Sequence, residues 1–140
     1  MIILDTNVVS EPFKPTPEAS VLAWLNRQPG DTLCLTATSL AEVYRGIALM
    51  PDGKRKERLK ADTEGFLDDL FGGRIHPFDK AAAVELAVLT AIASRSGIAI
   101  GFADGQIAAI ARCLGFAVAT RDIVPFEAAG CEVINPWTVG

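Results

Sequence analysis

Apolar residues recur along this chain in two alternating rhythms, short unbroken runs and longer stretches spaced by three and four. That alternation predicts an α/β domain with a central, mainly parallel sheet. Ile2, Ile3 and Leu4 read as a strand buried on both faces, ending in Asp5. Thr16 is suited to cap a first helix with Pro17 at its opening position and Glu18 in its first turn, and Val21, Leu22, Trp24 and Leu25 supply its apolar side. Leu33, Cys34 and Leu35 form a second strand. A helix follows over about 39–50, with Leu40, Val43, Tyr44 and Ile47 on one face. Beyond the Pro51-Asp52-Gly53 turn, a third helix opens with Lys54, Arg55, Lys56, Arg58 and Lys60, then closes on Phe66, Leu67, Leu70 and Phe71 before Gly72-Gly73. Residues 75–78 make a third strand, and Asp79 caps an Ala-rich helix ending near Gly97. A further helix runs from Asp104 to a terminating Gly115, and strands at 116–120 and 132–134 complete the pattern.

Composition narrows this picture. At 140 residues, half of them hydrophobic, the chain suits one domain with one substantial core. A net charge of -4 argues against coating nucleic acid by bulk charge, but not against cutting it where metal ions supply the positive charge locally. Five of the 13 basic residues fall between Lys54 and Lys60, to be read as a solvated helix face or as a basic flank for a phosphate backbone. The longest stretch without Asp, Glu, Lys or Arg, residues 32–41, is far short of the roughly twenty residues a bilayer needs, and Asp5 interrupts any signal-peptide core. A cytoplasmic protein is expected. Cys34, Cys113 and Cys131, odd in number and widely spaced, read as small buried hydrophobes and not as a disulfide frame or zinc site.

Among 17 acidic residues, three stand out from a solvated background. Asp5 and Asp122 each follow an apolar strand, at the end where open α/β sheets bind ligands. Asp5 is equally suited to cap a helix. Asp104 opens an apolar helix and falls at the edge of its buried side, where it serves either a site or the helix dipole. Glu42 lies opposite its helix's apolar stripe, so periodicity makes it solvated, although Ser39 and Gly46 on its own side are small enough to admit a ligand. The single histidine, His76, lies apart from these motifs, which removes support for serine or cysteine chemistry with a histidine base.

Asp5-Thr6-Asn7 after the first strand, Glu42 with Gly46 four residues on, the run from Asp104 through Ala111 to Gly115, Ala119-Thr120-Arg121-Asp122 and the closing Asn135-Pro136-Trp137 occur in a telling order. Together they resemble the PIN-domain ribonucleases of bacterial toxin–antitoxin systems, of the VapC and FitB type, over essentially the whole chain. The resemblance implies one PIN domain over residues 1–140 and an α/β/α sandwich. It implies a toxin that cleaves RNA with Mg²⁺ or Mn²⁺, and a small DNA-binding antitoxin that silences it. A homodimer or a toxin–antitoxin hetero-oligomer follows from it too. Carried over residue by residue, the acidic pocket is Asp5, Glu42, Asp104 and Asp122, all expected to serve catalysis and metal binding. Thr6, Asn7 and Thr120 fall where relatives have small polar residues, and Arg121 stands beside the pocket, available for substrate phosphate or a salt bridge. Two departures are Pro125-Phe126 where many relatives have Asp-Phe, and Asp122 where many have Asn. An oxygen-only donor set favours Mg²⁺ or Mn²⁺ over zinc. Two other classes remain open: a PIN-fold module that only binds a partner, and a phosphatase of the haloacid dehalogenase type. The second wants an Asp two residues after Asp5, where this chain has Asn7.

Overall fold

Ile3 and Leu4 point to opposite faces of the first strand and enter two different cores, which is why the run is apolar without alternation. The computed structural model describes residues 1–139. Five parallel strands, β1 (Ile2–Leu4), β2 (Leu33–Thr36), β3 (Ile75–His76), β4 (Ala117–Ala119) and β5 (Val133–Ile134), stand in the order β3-β2-β1-β4-β5. Helices α1 (Thr6–Ser10), α2 (Ala19–Arg27), α3 (Ala37–Ala48), α4 (Lys54–Phe71), α5 (Lys80–Arg95), α6 (Phe102–Leu114) and α7 (Ile123–Ala128) cover the sheet. One core joins Ile3, Cys34 and Val118 to α5, α6 and α7 through Leu89, Ile107, Ile110 and Phe126. The other joins Leu4, Leu33, Leu35 and Ala119 to α1, α2 and α4 through Val8, Val21, Trp24, Leu67 and Phe71. The expected α/β sandwich is therefore present, with a sheet that is parallel throughout.

Several boundaries differ from the sequence reading. Thr16 and Pro17 do not open α2; the helix starts at Ala19 after Glu18, which is extended and whose N–H donates to the Glu11 carboxylate at 3.0 Å. Helix α3 begins at Ala37, two residues before the expected start, capped by Thr36, whose hydroxyl accepts from the Ser39 N–H at 3.0 Å. Helix α6 begins two residues before Asp104, so Asp104 sits in its first turn. Helices α1 and α7 were not expected. Val8 and Val9 are poor helix formers that the core nonetheless holds in α1. Cys113, expected to be buried, is exposed, because the buried side of α6 ends at Ala111; Cys34 is buried and all three thiols are free. His76 keeps its structural place, its ring edge-on to Phe116 at 5.8 Å. The basic start of α4 is a solvated face, with Lys56 paired to Asp52 at 3.1 Å. No described helix is long and apolar enough to cross a membrane.

The guanidinium of Arg74 joins the end of α4 to the start of β2, donating to the carbonyls of Leu33 (3.0 Å), Gly30 (2.6 Å) and Leu70 (2.8 Å). The turn that delivers it depends on Gly72, whose φ of 53° is the left-handed value that favours glycine. Arg74→Ala is expected to cost about 2 kcal/mol, a fall of roughly 5–8 °C in the thermal unfolding midpoint followed by circular dichroism. Lysine, lacking the forked donor, recovers less than half of that loss.

Candidate active site

Strand β1 lies at the centre of the sheet, and the chain moves outward from it in both directions, to β2 on one side and β4 on the other. At such a switch point the connections leaving neighbouring strands part and open a cleft at the carboxyl ends. Asp5 leaves β1, α3 leaves β2, and Thr120 and Asp122 leave β4, so three separate segments arrive at one place. Helix α6 brings Asp104 to it from outside the sheet. The cleft, of about 290 Å³, is lined by Asp5, Thr6, Asn7, Ser10, Glu42, Asp104 and Asp122.

Asp5 is both cap and cleft residue. Its Oδ1 accepts from the Thr6 N–H at 2.8 Å, closing the start of α1. Its Oδ2 accepts from the Thr120 hydroxyl at 2.7 Å and the Asn7 amide at 3.3 Å. Only 3% of Asp5 is exposed, and burial, opposed by those hydrogen bonds, pushes its carboxyl from 3.8 to about 6; the charges of Asp104 and Glu42 add to the rise. Thr120, fully buried, also accepts from the Asp122 N–H at 3.0 Å, so one hydroxyl fixes both carboxylate-bearing segments. Asn7 bridges Asp5 and Asp122, reaching the latter at 3.4 Å.

Glu42 is exposed, as its place on the helix wheel requires, yet its Oε1 accepts from the Thr6 hydroxyl at 2.7 Å and its side chain borders the cleft. Asp104 has its pKa raised by burial first, then by Asp122 and Glu42. A hydrogen bond of 2.7 Å from the Thr38 hydroxyl to Gln106 Oε1 ties the helix of Glu42 to the helix of Asp104. All four sequence-selected carboxylates are thus brought to one cleft, together with Thr6 and Asn7, while Thr120 stands behind them. Arg121 departs from the salt-bridge expectation: among the described residues it has no ion pair, and its guanidinium lies 5.2 Å from the centre of the Trp137 ring. Ser10 was missed. Its signal was available, since Thr6 and Ser10 are four apart and share a face once α1 is recognised.

The family model described as PIN domain matches residues 2–130. The chain belongs to the PIN-domain family. This PIN domain is 50% identical over 137 residues to the VapC ribonuclease Y4jK of Sinorhizobium fredii, covering 98% of each chain. It is 44% identical to Toxin FitB of Neisseria gonorrhoeae, covering 98% of this chain and 99% of that one. It superposes on a chain of the structure of FitAB bound to an IR36 DNA fragment with a TM-score of 0.95 at 43% identity, covering 100% of this chain and 98% of that one.

In this PIN domain the cleft presents oxygen donors alone, the donor chemistry of a hard cation. Burial first, and the neighbouring carboxylates second, raise the carboxyls of Asp5 and Asp104, and no cationic side chain of the described residues lines the cleft. Among the described residues, no three His, Cys, Asp or Glu side chains are grouped closely enough to enclose an ion by themselves. Carboxylate, hydroxyl and amide oxygens of this kind are the donor set of a hard divalent cation, without the His and Cys donors typical of a zinc site.

Proposed function

We propose that residues 1–140 form one PIN domain that acts as a Mg²⁺- or Mn²⁺-dependent endoribonuclease in the cytoplasm, the toxin of a toxin–antitoxin pair. The observation that carries this reading is the convergence of Asp5, Glu42, Asp104 and Asp122 on one cleft at the centre of the sheet. The names of the relatives, a VapC ribonuclease and Toxin FitB, support it.

Asp5 and Asp104 would hold the cation, with Glu42 and Asp122 completing its surroundings directly or through water. When bound, the cation supplies Lewis acidity for water activation and positive charge against the phosphate oxygens. Asp5 is the fixed member: three donors orient it, and of its roughly four acceptor positions one on Oδ1 stays available. Glu42 is suited to move the proton. Thr6 occupies Oε1 and orients the group, leaving Oε2 to take a proton from the attacking water. Thr120 and Asn7 hold Asp5 and Asp122 at a fixed separation, so the charge that must meet the phosphate does not have to be reorganised.

The purified chain, free of any partner, is expected to cut single-stranded RNA in 5 mM-scale Mg²⁺ or Mn²⁺, on the order of a hundredfold faster than in excess chelator. Cleavage that survives strong chelation overturns the reading. The partner-binding module, kept as the second reading, predicts no metal-stimulated cleavage at all.

An antitoxin is the partner this surface suits. An apolar groove lined by Val9, Phe13, Val43, Ile47 and Met50 shares Ser10 and Glu42 with the cleft, so one extended segment can lie in the groove and reach the carboxylates. The similar structure of FitAB on a DNA fragment supports a partner that binds DNA. A Lys or Arg from that segment laid among the carboxylates competes with the cation by charge. The complex is therefore expected to bind Mn²⁺ at least about tenfold more weakly than the free chain in isothermal titration; undiminished binding removes this mode of silencing.

A further inference from the structure

No Lys, Arg or His side chain of the described residues lines the cleft, and a phosphodiester chain brings one negative charge per nucleotide. A divalent ion held by Asp5 and Asp104 would supply positive charge to the phosphate being cut, while the phosphates beside it would face carboxylates with no cationic side chain among them. Arg121 is the residue placed to meet one of them. Its neighbour Asp122 lines the cleft, and its own N–H donates to Asn7 Oδ1 at 3.4 Å, so its backbone is fastened to the cleft wall.

The side chain is exposed and has no ion pair among the described residues. Its guanidinium instead lies over the indole of Trp137 at 5.2 Å. Trp137 is a firm base. It packs partly against the core that contains Leu4 and Trp24, its backbone N–H donates to Asn135 Oδ1 at 3.0 Å, and its backbone carbonyl accepts from the Ser20 hydroxyl at 3.4 Å. Buried Glu11 is paired with Lys14 at 2.8 Å; the hydrogen bonds it accepts from Lys14 and from the Glu18 N–H, opposed by burial and aided by the charges of Lys14 and, last, Arg121, keep its carboxyl below the usual range. Lys14, Glu11 and Arg121 together leave one net positive charge at this edge. An arginine stacked on an indole keeps its donor edge outward and has already lost the torsional freedom that binding would cost it.

We propose that Arg121, laid on Trp137, is a phosphate-binding subsite for single-stranded RNA, taking a backbone phosphate adjacent to the one cleaved. The identity of the strand rests on the nuclease reading, and the subsite positions RNA without touching the reacting atoms.

The test is direct binding of a fluorescein-labelled single-stranded RNA oligonucleotide, followed by anisotropy across a salt series. It uses the full chain carrying Asp104→Asn to prevent cleavage. Adding Arg121→Ala is expected to weaken binding about tenfold at low salt and to lower the slope of log K against log salt by about 0.7, the value for one lost phosphate contact on a single strand. Arg121→Lys keeps the slope and loses about threefold, having charge without the stack or fork. Trp137→Phe stays within about twofold, since a ring remains under the guanidinium. Affinity and salt slope unchanged by Arg121→Ala overturn the subsite, whatever the wild-type chain does to RNA. A wild-type chain that binds RNA with this Arg121 dependence but never cuts it with Mn²⁺ keeps the subsite and removes the nuclease.

Discussion

Asp5→Asn and Asp104→Asn are each expected to cut RNA at least about 100-fold more slowly than the wild-type chain at saturating Mn²⁺, with the fold intact. Each replacement keeps the shape of the side chain and removes the negative charge that a cation needs. Asn at position 5 can still accept from the Thr6 N–H, and the rotatable Thr120 hydroxyl can accept where it formerly donated, so folding is not the variable. Glu42→Gln is expected to lose a comparable factor in kcat while Mn²⁺ affinity falls less than about threefold, because its proposed work is taking a proton at Oε2. Asp122→Asn is expected to cost less than about tenfold: it is exposed, and Asn7 and Thr120 hold its segment regardless. Initial rates on a defined single-stranded RNA, with titration calorimetry for Mn²⁺, separate these cases. Wild-type rates in both Asp5→Asn and Asp104→Asn would end the metal mechanism.

The same Asp5→Asn variant is expected to be the more stable protein at alkaline pH without divalent ions. A carboxyl raised by burial favours its protonated form in the fold, so its contribution to stability is complete below the ordinary unfolded value near 3.8 and is lost as pH rises through about 6. Displacement from 3.8 to about 6 corresponds to about 3 kcal/mol at pH 8, and the neutral amide escapes that loss. Weaker hydrogen bonds from Thr6 and Thr120 to an amide offset part of it, leaving an expected gain of about 1–3 kcal/mol in urea unfolding at pH 8 that disappears near pH 4. Millimolar Mn²⁺ reverses the order by stabilising the wild-type chain alone. An Asp5→Asn protein less stable than wild type at pH 8 in chelator contradicts this account of the cleft. If it holds, the cleft is a place where stability is given up for function, with cation and substrate restoring what crowded carboxylates remove.

Elements built on strong local chemistry were legible without coordinates. The runs Ile2–Leu4 and Leu33–Leu35 read as buried strands and are, the second extending to Thr36; Asp79 does cap α5 by accepting from Ala82 N–H at 3.0 Å, and Gly72 and Gly115 end α4 and α6 in the left-handed conformation. Helices α1 and α7 escaped for opposite reasons. Thr6 to Ser10 is one turn of weak helix formers, held by the Asp5 cap and the burial of Val8 and Val9. Ile123 to Ala128 carries Pro125, which reads as a breaker but lies in the first turn, where a missing N–H costs nothing.

Asp5 shows where the division falls. Its address at the end of a buried strand was set by the order of residues alone, and two readings, cap or site, were equally consistent with it. The structure makes it both, because one carboxylate has two oxygens and the cap occupies only part of one. Glu42 is the converse: helical period correctly puts it in solvent, and no property of its own helix marks it. It borders the cleft because Thr6, 36 positions earlier, reaches its Oε1, and because Asp104 on α6 and Asp122 after β4 arrive at the same place. Local pattern determined the layers, the strand ends and three of the four carboxylates, since those depend on burial along a short stretch of chain. The meeting of the four at one cleft, the raised carboxyls of buried Asp5 and Asp104, and the turn of Arg121 away from an ion pair onto Trp137 were decided by the tertiary fold, which brings together residues that sequence keeps far apart.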